Sequence, residues 1–191
     1  MSQLPITHTT DTDSREGSRS FSWIDLAWLL IGAGAIVWLD QFTKNLVVEH
    51  IPFTGSWLPE SIAHLEPWFR IIHWTNSGAA FGIFQNGNLV FLVIGILAAA
   101  FIILTYPTIG LGDWPLRLAL VLQLAGALGN LIDRVRFGHV IDFISILNLP
   151  VFNIADASIA FGVAILLLDV VWTESRERKT AQSEDGDANV H

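Results

Sequence analysis

Ionisable and amide side chains are concentrated in one short segment of an otherwise apolar chain. From Asn130 to Asp156, 27 residues contain three aspartates, three asparagines and two arginines, and strongly apolar sequence lies on both sides. Charged groups at the edge of hydrocarbon are costly, so such a cluster indicates a functional site. Asp142 and Asp156 have no lysine or arginine at helical spacing, and if they meet, sharing one proton is their natural state. Paired carboxylates at a membrane surface favour acid–base chemistry on a substrate held in the membrane.

The composition is that of a membrane protein. Of the 191 residues, 52% are hydrophobic and only 15% are charged, which is too apolar for a soluble domain of this size. Because the chain has no cysteine, disulfides, thiolate metal sites and cysteine nucleophiles are excluded. The net charge of −8 without a basic patch argues against nucleic-acid binding. The six histidines show no metal-ligand spacing, so we expect no metal and no cofactor.

Four segments each approach the ~20 residues that a membrane-spanning helix needs. They cover about 23–45, 89–106, 116–135 and 154–173. Lysine and arginine near the helix ends number six on the side of the two termini and four on the other side. This excess predicts that both termini are cytoplasmic and that the acidic cluster faces the outside of the membrane.

The remaining segments are polar or irregular. The tails, residues 1–21 and 174–191, have little apolar surface to bury, and we expect both to be disordered in the cytoplasm. Residues 22–173 form the predicted membrane domain. Within it, the connection from about 46 to 88 contains Trp68–Thr75, whose β-branched and aromatic residues predict a strand. The fold class is therefore a membrane all-α bundle of four transmembrane helices with a small extracytoplasmic β element.

Charged residues lie at helical spacing in the first and the third predicted helix. Asp40 and Lys44 lie four residues apart at the end of the first helix, and either an ion pair or a role in substrate binding explains them. Asp133 and Arg134 share one face of the third helix with Asn130, and a structural charge network is favoured for the aspartate.

Two asparagines lie beside glycine or aspartate. Asn153 precedes Asp156 by three residues, the spacing of a residue that caps the fourth helix. Asn76 precedes Gly78 and is either a turn residue or part of the site.

Four blocks of these residues, in order, resemble the signature blocks of lipoprotein signal peptidase, also called signal peptidase II. The resemblance covers about residues 23 to 173, and each block lies at or beside the outer end of a predicted helix. The blocks are Asp40-Gln41-Phe42-Thr43-Lys44, Asn76 to Gly82, Gly129 to Phe143, and Phe152-Asn153-Ile154-Ala155-Asp156.

The resemblance implies an aspartic endopeptidase of the bacterial inner membrane with four helices and a periplasmic β cradle. It implies removal of signal peptides from diacylglyceryl-modified prolipoproteins, cut just before the lipidated cysteine. Membrane lipids and the cyclic peptide inhibitor globomycin are further expected partners, and we expect a monomer. The catalytic dyad would be Asp142 and Asp156. The polar residues that would line the site and hold substrate or inhibitor are Asp40, Asn76, Asn130, Arg134 and Asn153.

A pair of aspartates is compatible with an acid–base mechanism of hydrolysis and with one alternative function. In the mechanism, an ionised aspartate takes a proton from water while a protonated one polarises the scissile carbonyl, with no metal and no acyl-enzyme. The alternative is a proton- or ion-coupled carrier that uses intramembrane aspartates. A carrier would need acids at several depths and broken helices near the midplane. Here most acids lie at one level, which favours the peptidase.

Overall fold

The computed structural model describes residues 23–78 and 87–188. Over these residues, four helices are long and apolar enough to cross a membrane, as the sequence predicts. The predicted disorder of residues 1–21 falls outside the described residues. The helices are α1 (Trp23–His50), α2 (Gly87–Thr105), α3 (Trp114–Phe137) and α4 (Ile154–Ala188). The strands of the described part are β1 (Ser56–Trp57), β2 (Phe69–Asn76) and β3 (Val140–Ile146).

Helix α3 is the centre of the bundle, because it packs against α1, α2 and α4. Small residues allow the helices to approach closely, as is common where membrane helices pack. The buried core of the bundle contains Leu29, Ala33, Ala99, Ile102, Leu124 and Ala125. Large apolar side chains on the outside of the bundle are exposed, including Leu104, Leu168 and Trp172. An apolar surface of this extent fits contact with lipid.

Helices α3 and α4 approach each other closely at Gly126. A Cβ atom at this position would clash with the backbone oxygen of Ala155 and the side chain of Ile159. We therefore expect Gly126→Ala to lower the stability of the detergent-solubilised protein by about 1–3 kcal/mol, the usual cost of overpacking. Thermal unfolding measures the change. Gly34→Ala is the matched control, because nothing lies within 4 Å of its Cβ position and alanine favours a helix. Equal stability of the two variants would contradict this packing.

The three strands form one antiparallel sheet in the order β1-β2-β3. In the β2–β3 pair, Asn76 lies opposite Val140 and Trp74 lies opposite Asp142. Helix α3 ends at Gly138, whose φ of 77° is the left-handed conformation that glycine adopts readily, and β3 begins two residues later. After β3 the chain turns back, and Ile144 pairs with Phe152. This reversal brings the start of α4 beside β3.

The β element differs from the prediction of about 46–88 in two respects. Helix α1 continues to His50, so residues 46–50 are helical. Strand β3 comes from the connection between α3 and α4, where no strand is predicted. Most of its residues are buried regardless of the face they occupy. It therefore lacks the apolar–polar alternation that identifies a half-buried strand.

The fourth helix is longer than predicted. The sequence predicts disorder from residue 174, but α4 continues to Ala188. Glutamate, arginine, lysine, glutamine and alanine are frequent in this part of the chain, and all favour a helix. Glu174 and Arg178 are also paired at 3.7 Å across one turn. The prediction of disorder over 174–188 is therefore corrected.

Candidate active site

Asp142 lies on β3, with only 1% of its surface exposed. Its Oδ2 accepts a hydrogen bond from Nδ2 of Asn76 at 3.0 Å, and its Oδ1 accepts one from Nδ2 of Asn153 at 2.7 Å. The sheet register explains the first contact, since Asn76 lies two residues beyond Trp74, the residue opposite Asp142. Diagonal neighbours of this kind lie on the same face of a sheet.

Asp156 lies in the first turn of α4. Its Oδ1 accepts a hydrogen bond from Nδ2 of Asn130 at 2.7 Å. Its Oδ2 accepts the backbone N–H of Asn153 at 3.3 Å, and its own N–H donates to Oδ1 of Asn153 at 2.8 Å. Asn153 therefore occupies the predicted capping position, and this reciprocal pair satisfies two helix N-terminal donors.

Asn153 joins the two aspartates. Its Nδ2 donates to Asp142 while its Oδ1 accepts from the backbone of Asp156, and the side chain is fully buried. Burial, together with the negative charge of Asp156, raises the pKa of Asp142 to about 6. The hydrogen bonds from Asn76 and Asn153 and the positive charge of Lys44 act in the opposite direction. A carboxyl with this pKa can exchange its proton near neutral pH.

A second polar cluster lies directly behind the dyad. Lys44 is only 1% exposed, and its Nζ lies 2.8 Å from Oδ2 of Asp40 and 2.8 Å from Oδ2 of Asp133. Both carboxylates are fully buried. Asp40 therefore has no exposed surface in this structure, and the substrate contact expected for it stays a prediction. The physical reason for its burial is that the ion pair with Lys44 turns its carboxylate into the bundle.

Asn130 connects the second cluster to the dyad. Its Oδ1 accepts hydrogen bonds from Nζ of Lys44 at 3.3 Å and from Nδ2 of Asn153 at 3.1 Å. With its Nδ2 on Asp156, both ends of this amide are occupied. Asn130 and Asn153 therefore hold the carboxylates, while the exposed Asn76 and the half-buried Arg134 can reach a substrate.

Two residues that contribute to the site are not indicated by the sequence analysis. Gln41 donates from Nε2 to Oδ1 of Asp133 at 2.8 Å and to the backbone oxygen of Gly129 at 3.2 Å. It lies inside the Asp40–Lys44 block, so that block is the signal that could have found it. Phe91 lies under the guanidinium of Arg134, with 5.1 Å from Cζ to the ring centroid. No local pattern distinguishes this phenylalanine from its apolar neighbours in α2.

Two cavities open beside the dyad. A cavity of about 600 Å³ lies against Asp142, and its lining includes Asn76, Trp74 and Leu149. A cavity of about 300 Å³ lies against Asp156 between α2, α3 and α4. The two adjoin, because Phe91 and Arg134 line both. A peptide lying across them would pass both carboxylates.

Within residues 23–78 and 87–188, no three histidine, aspartate or glutamate side chains converge to hold a metal ion. Three of the predicted site residues hydrogen-bond directly to Asn153, namely Asp142, Asp156 and Asn130, and Asn76 joins the group through Asp142. Arg134 lies beside them on the cavity wall. The Asn76 block continues into residues 79–82, which are outside the described residues.

Comparison with known proteins gives one consistent result. The family model described as signal peptidase (SPase) II matches residues 26–172. The lipoprotein signal peptidase of Syntrophus aciditrophicus is 39% identical over 155 residues, which covers 76% of this chain and 93% of that protein. The lipoprotein signal peptidase of Brevibacillus brevis is also 39% identical, over 79% of this chain and 99% of its own length.

A solved structure of a bacterial membrane enzyme has the same fold. It is described as a bacterial membrane enzyme structure obtained by the in meso method at 2.3 Å resolution. It superposes with a TM-score of 0.69 at 30% identity and covers 78% of this chain and 91% of its own chain. With its four membrane-spanning helices, this chain is a multi-pass bacterial membrane protein. It belongs to the signal peptidase II family.

Proposed function

We propose that this protein removes signal peptides from prolipoproteins by an aspartic mechanism in which Asp142 and Asp156 are the catalytic pair. Membership of the signal peptidase II family indicates that the substrates are prolipoproteins. The observation that supports the catalytic type is the position of Asn153, which hydrogen-bonds to both aspartates beside two adjoining cavities. Such an arrangement holds two carboxyl groups ready to share one proton.

The environments of the two carboxyl groups assign their roles. Asp142 retains a proton to a higher pH than an ordinary aspartate, because burial raises its pKa to about 6. It is therefore the acid that polarises the scissile carbonyl. Asp156 lies at the N-terminus of α4, where backbone N–H groups stabilise negative charge, and it is the base that takes a proton from water. As water attacks, Asp142 gives its proton to the carbonyl oxygen, and a tetrahedral diol forms. Asp156, protonated in this step, then passes its proton to the leaving amine, while Asp142 takes a proton back from the diol as the carbonyl forms again.

The two cavities suggest the direction in which the substrate chain runs through the site. The smaller cavity extends along α3 and α4 to Gln123 and Ile159, inside the membrane-spanning bundle, and fits the apolar signal peptide. The larger cavity, against the sheet, takes the segment that continues from the lipidated cysteine. Arg134 lies at the junction and can donate to a substrate carbonyl. The cut just before the lipidated cysteine then falls between the two aspartates.

The orientation and partners complete the proposal. From the excess of arginine and lysine near the termini we infer that both termini are cytoplasmic and that the sheet and the dyad lie at the periplasmic face of the inner membrane. We expect the protein to act as a monomer and to bind globomycin in the same cavities. The carrier alternative receives no support from the comparisons, and all the relatives named above are peptidases.

The pH dependence of cleavage tests the assigned roles. Asp142 must hold its proton, so kcat/KM for a diacylglyceryl prolipopeptide should fall as pH rises through about 6. The hydrogen bond from Asn76 stabilises the ionised form and lowers the pKa of Asp142. The fall of kcat/KM at high pH is the alkaline limb of the pH–activity profile. Removing that hydrogen bond in Asn76→Ala should raise the pKa of Asp142 and therefore move the alkaline limb to higher pH.

A control on the same strand separates this effect from a general change of charge. Arg70→Gln alters an exposed side chain of β2 and should leave the limb where it is. A limb that stays in place in Asn76→Ala, or that moves equally in Arg70→Gln, would show that Asp142 is not the titrating acid. Intact prolipopeptide after prolonged incubation with the wild-type protein would reject the proposed function itself.

A further inference from the structure

The buried ammonium of Lys44 uses all three of its N–H donors. They point to Oδ2 of Asp40, Oδ2 of Asp133 and Oδ1 of Asn130, at 2.8, 2.8 and 3.3 Å. Since the side chain is 1% exposed, water does not compete for these bonds. The three acceptors come from α1 and α3, so Lys44 ties those two helices together at the sheet end of the bundle.

The two carboxylates around Lys44 each hold one further backbone group. Oδ2 of Asp133 accepts the N–H of Ile141 at 3.0 Å, and Oδ1 of Asp40 accepts the N–H of Ala155 at 2.9 Å. Ile141 immediately precedes Asp142, and Ala155 immediately precedes Asp156. The same ammonium therefore orients the two carboxylates that fix the peptide bonds next to both members of the dyad.

The third acceptor reaches the dyad through a side chain. Because Oδ1 of Asn130 faces Lys44 and Asn153, its Nδ2 must point the other way, toward Asp156. An amide turned by 180° would place an N–H group against an ammonium and an oxygen against a carboxylate, and both contacts are repulsive. Lys44 thus also decides which end of Asn130 meets Asp156.

We infer that Lys44, Asp40 and Asp133 are positioning residues that set the distance and orientation of Asp142 relative to Asp156. We call these three residues the clamp. This inference rests on the proposed aspartic dyad. The clamp touches neither the substrate cavities nor the reacting atoms, and it acts through the backbone of Ile141 and Ala155 and through Asn130.

Stability alone is a weak explanation for the clamp. Taking charges out of water is expensive, and replacing a buried ion pair or triad with apolar residues of similar volume often leaves a protein equally stable or more stable. Geometry is a stronger explanation, because a displacement of about 1 Å in an active site can cost about a hundredfold in rate. Apolar replacement therefore separates the two explanations.

The test compares an apolar clamp variant with a matched control in detergent or nanodiscs. The clamp variant is Lys44→Met/Asp40→Leu/Asp133→Leu. The control is Asp25→Leu/Arg117→Met, which removes the other buried ion pair of the described residues, at 2.6 Å and at the opposite end of the bundle. We expect the clamp variant to fold and to lose about a hundredfold in kcat with little change in KM. The control should retain wild-type kcat.

Two further readouts test the clamp: the position of the alkaline limb, which a merely structural role would not move, and amide exchange, which tests the two backbone contacts. The clamp variant removes the positive charge of Lys44, which lowers the pKa of Asp142, together with the negative charges of Asp40 and Asp133, and it frees the backbone next to Asp142, so the alkaline limb of its pH–activity profile should shift from the wild-type position. In the wild-type protein, the amides of Ile141 and Ala155 should exchange slowly with deuterium because each is bonded to a buried carboxylate. The Ala155 amide is the sharper probe, since first-turn amides of a helix lack intrahelical partners. These exchange measurements require no variant to fold.

Three results would overturn the inference. They are a folded clamp variant with wild-type kcat and an unmoved limb, an equal loss of kcat in the Asp25/Arg117 control, and fast exchange at both amides of the wild-type protein. A failure of the proposed function would look different. The wild-type protein would then leave the prolipopeptide intact, or Asp142→Asn would remain active, whatever the clamp variant does.

Discussion

We expect Asp142→Asn and Asp156→Asn each to reduce cleavage of a diacylglyceryl prolipopeptide by roughly a thousandfold. Asparagine keeps the shape of the side chain and can still hydrogen-bond to Asn76, Asn130 or Asn153. What it loses is the titrating proton, so the acid step fails in the first variant and the base step in the second. Initial rates on the purified proteins, at equal detergent and equal lipopeptide, measure the effect.

The matched control for the dyad is Asp169→Asn. Asp169 lies on the same helix as Asp156 but toward the other end of the bundle, beside Trp172 and Arg176. We expect this variant to cleave at the wild-type rate. If Asp142→Asn or Asp156→Asn is as active as Asp169→Asn, that residue is not catalytic.

The second large effect concerns the lipid on the substrate. The dyad lies at the sheet end of the bundle, so the scissile bond must be held at one depth in the membrane. Two acyl chains on the substrate cysteine would fix this depth, since each buried methylene contributes about 0.8 kcal/mol. The apolar stretch of the signal peptide keeps the peptide in the bilayer. It can still move along the bilayer normal, so it does not fix the depth of the scissile bond. We therefore expect the unmodified prolipoprotein to be cut at least about a hundredfold more slowly than the diacylglyceryl form.

The comparison needs equal amounts of both substrates in the membrane. Nanodiscs loaded to the same peptide-to-lipid ratio provide this, and the bound fraction can be measured before the enzyme is added. A substrate that carries a single acyl chain should be cut at an intermediate rate. Equal rates for all three substrates would mean that the lipid does not position the bond.

The helices, strand β2 and the capping of α4 were predictable because their signals are local. Four apolar runs of the right length predict four spans, and the structure has them at nearly the predicted positions. The strand predicted over Trp68–Thr75 is β2, displaced by one residue. The capping of α4 by Asn153 follows from a spacing of three residues. These features depend on neighbours in the sequence.

The remaining features depend on contacts between distant segments. Strand β3 is buried on both faces, so its residues show no alternation that would identify a strand. The hydrogen bond from the Ala155 amide to Asp40 joins residues 115 positions apart. No sequence pattern within either segment predicts this contact. The same holds for the burial of Asp40, which looks available to substrate when only the helix end is considered. The extension of α4 was missed for a different reason: a polar sequence predicts exposure, and an exposed segment can still be helical.

Mass spectrometry of the cleavage products tests the central claim most directly. A diacylglyceryl prolipopeptide is incubated with the wild-type protein and, in parallel, with Asp142→Asn and Asp156→Asn. We predict that the wild-type protein gives a single cut, with the lipid-modified cysteine as the first residue of one product. Neither variant should give this product above background. A cut elsewhere in the wild-type reaction, or the same product from either variant, would contradict an aspartic signal peptidase that acts through this dyad.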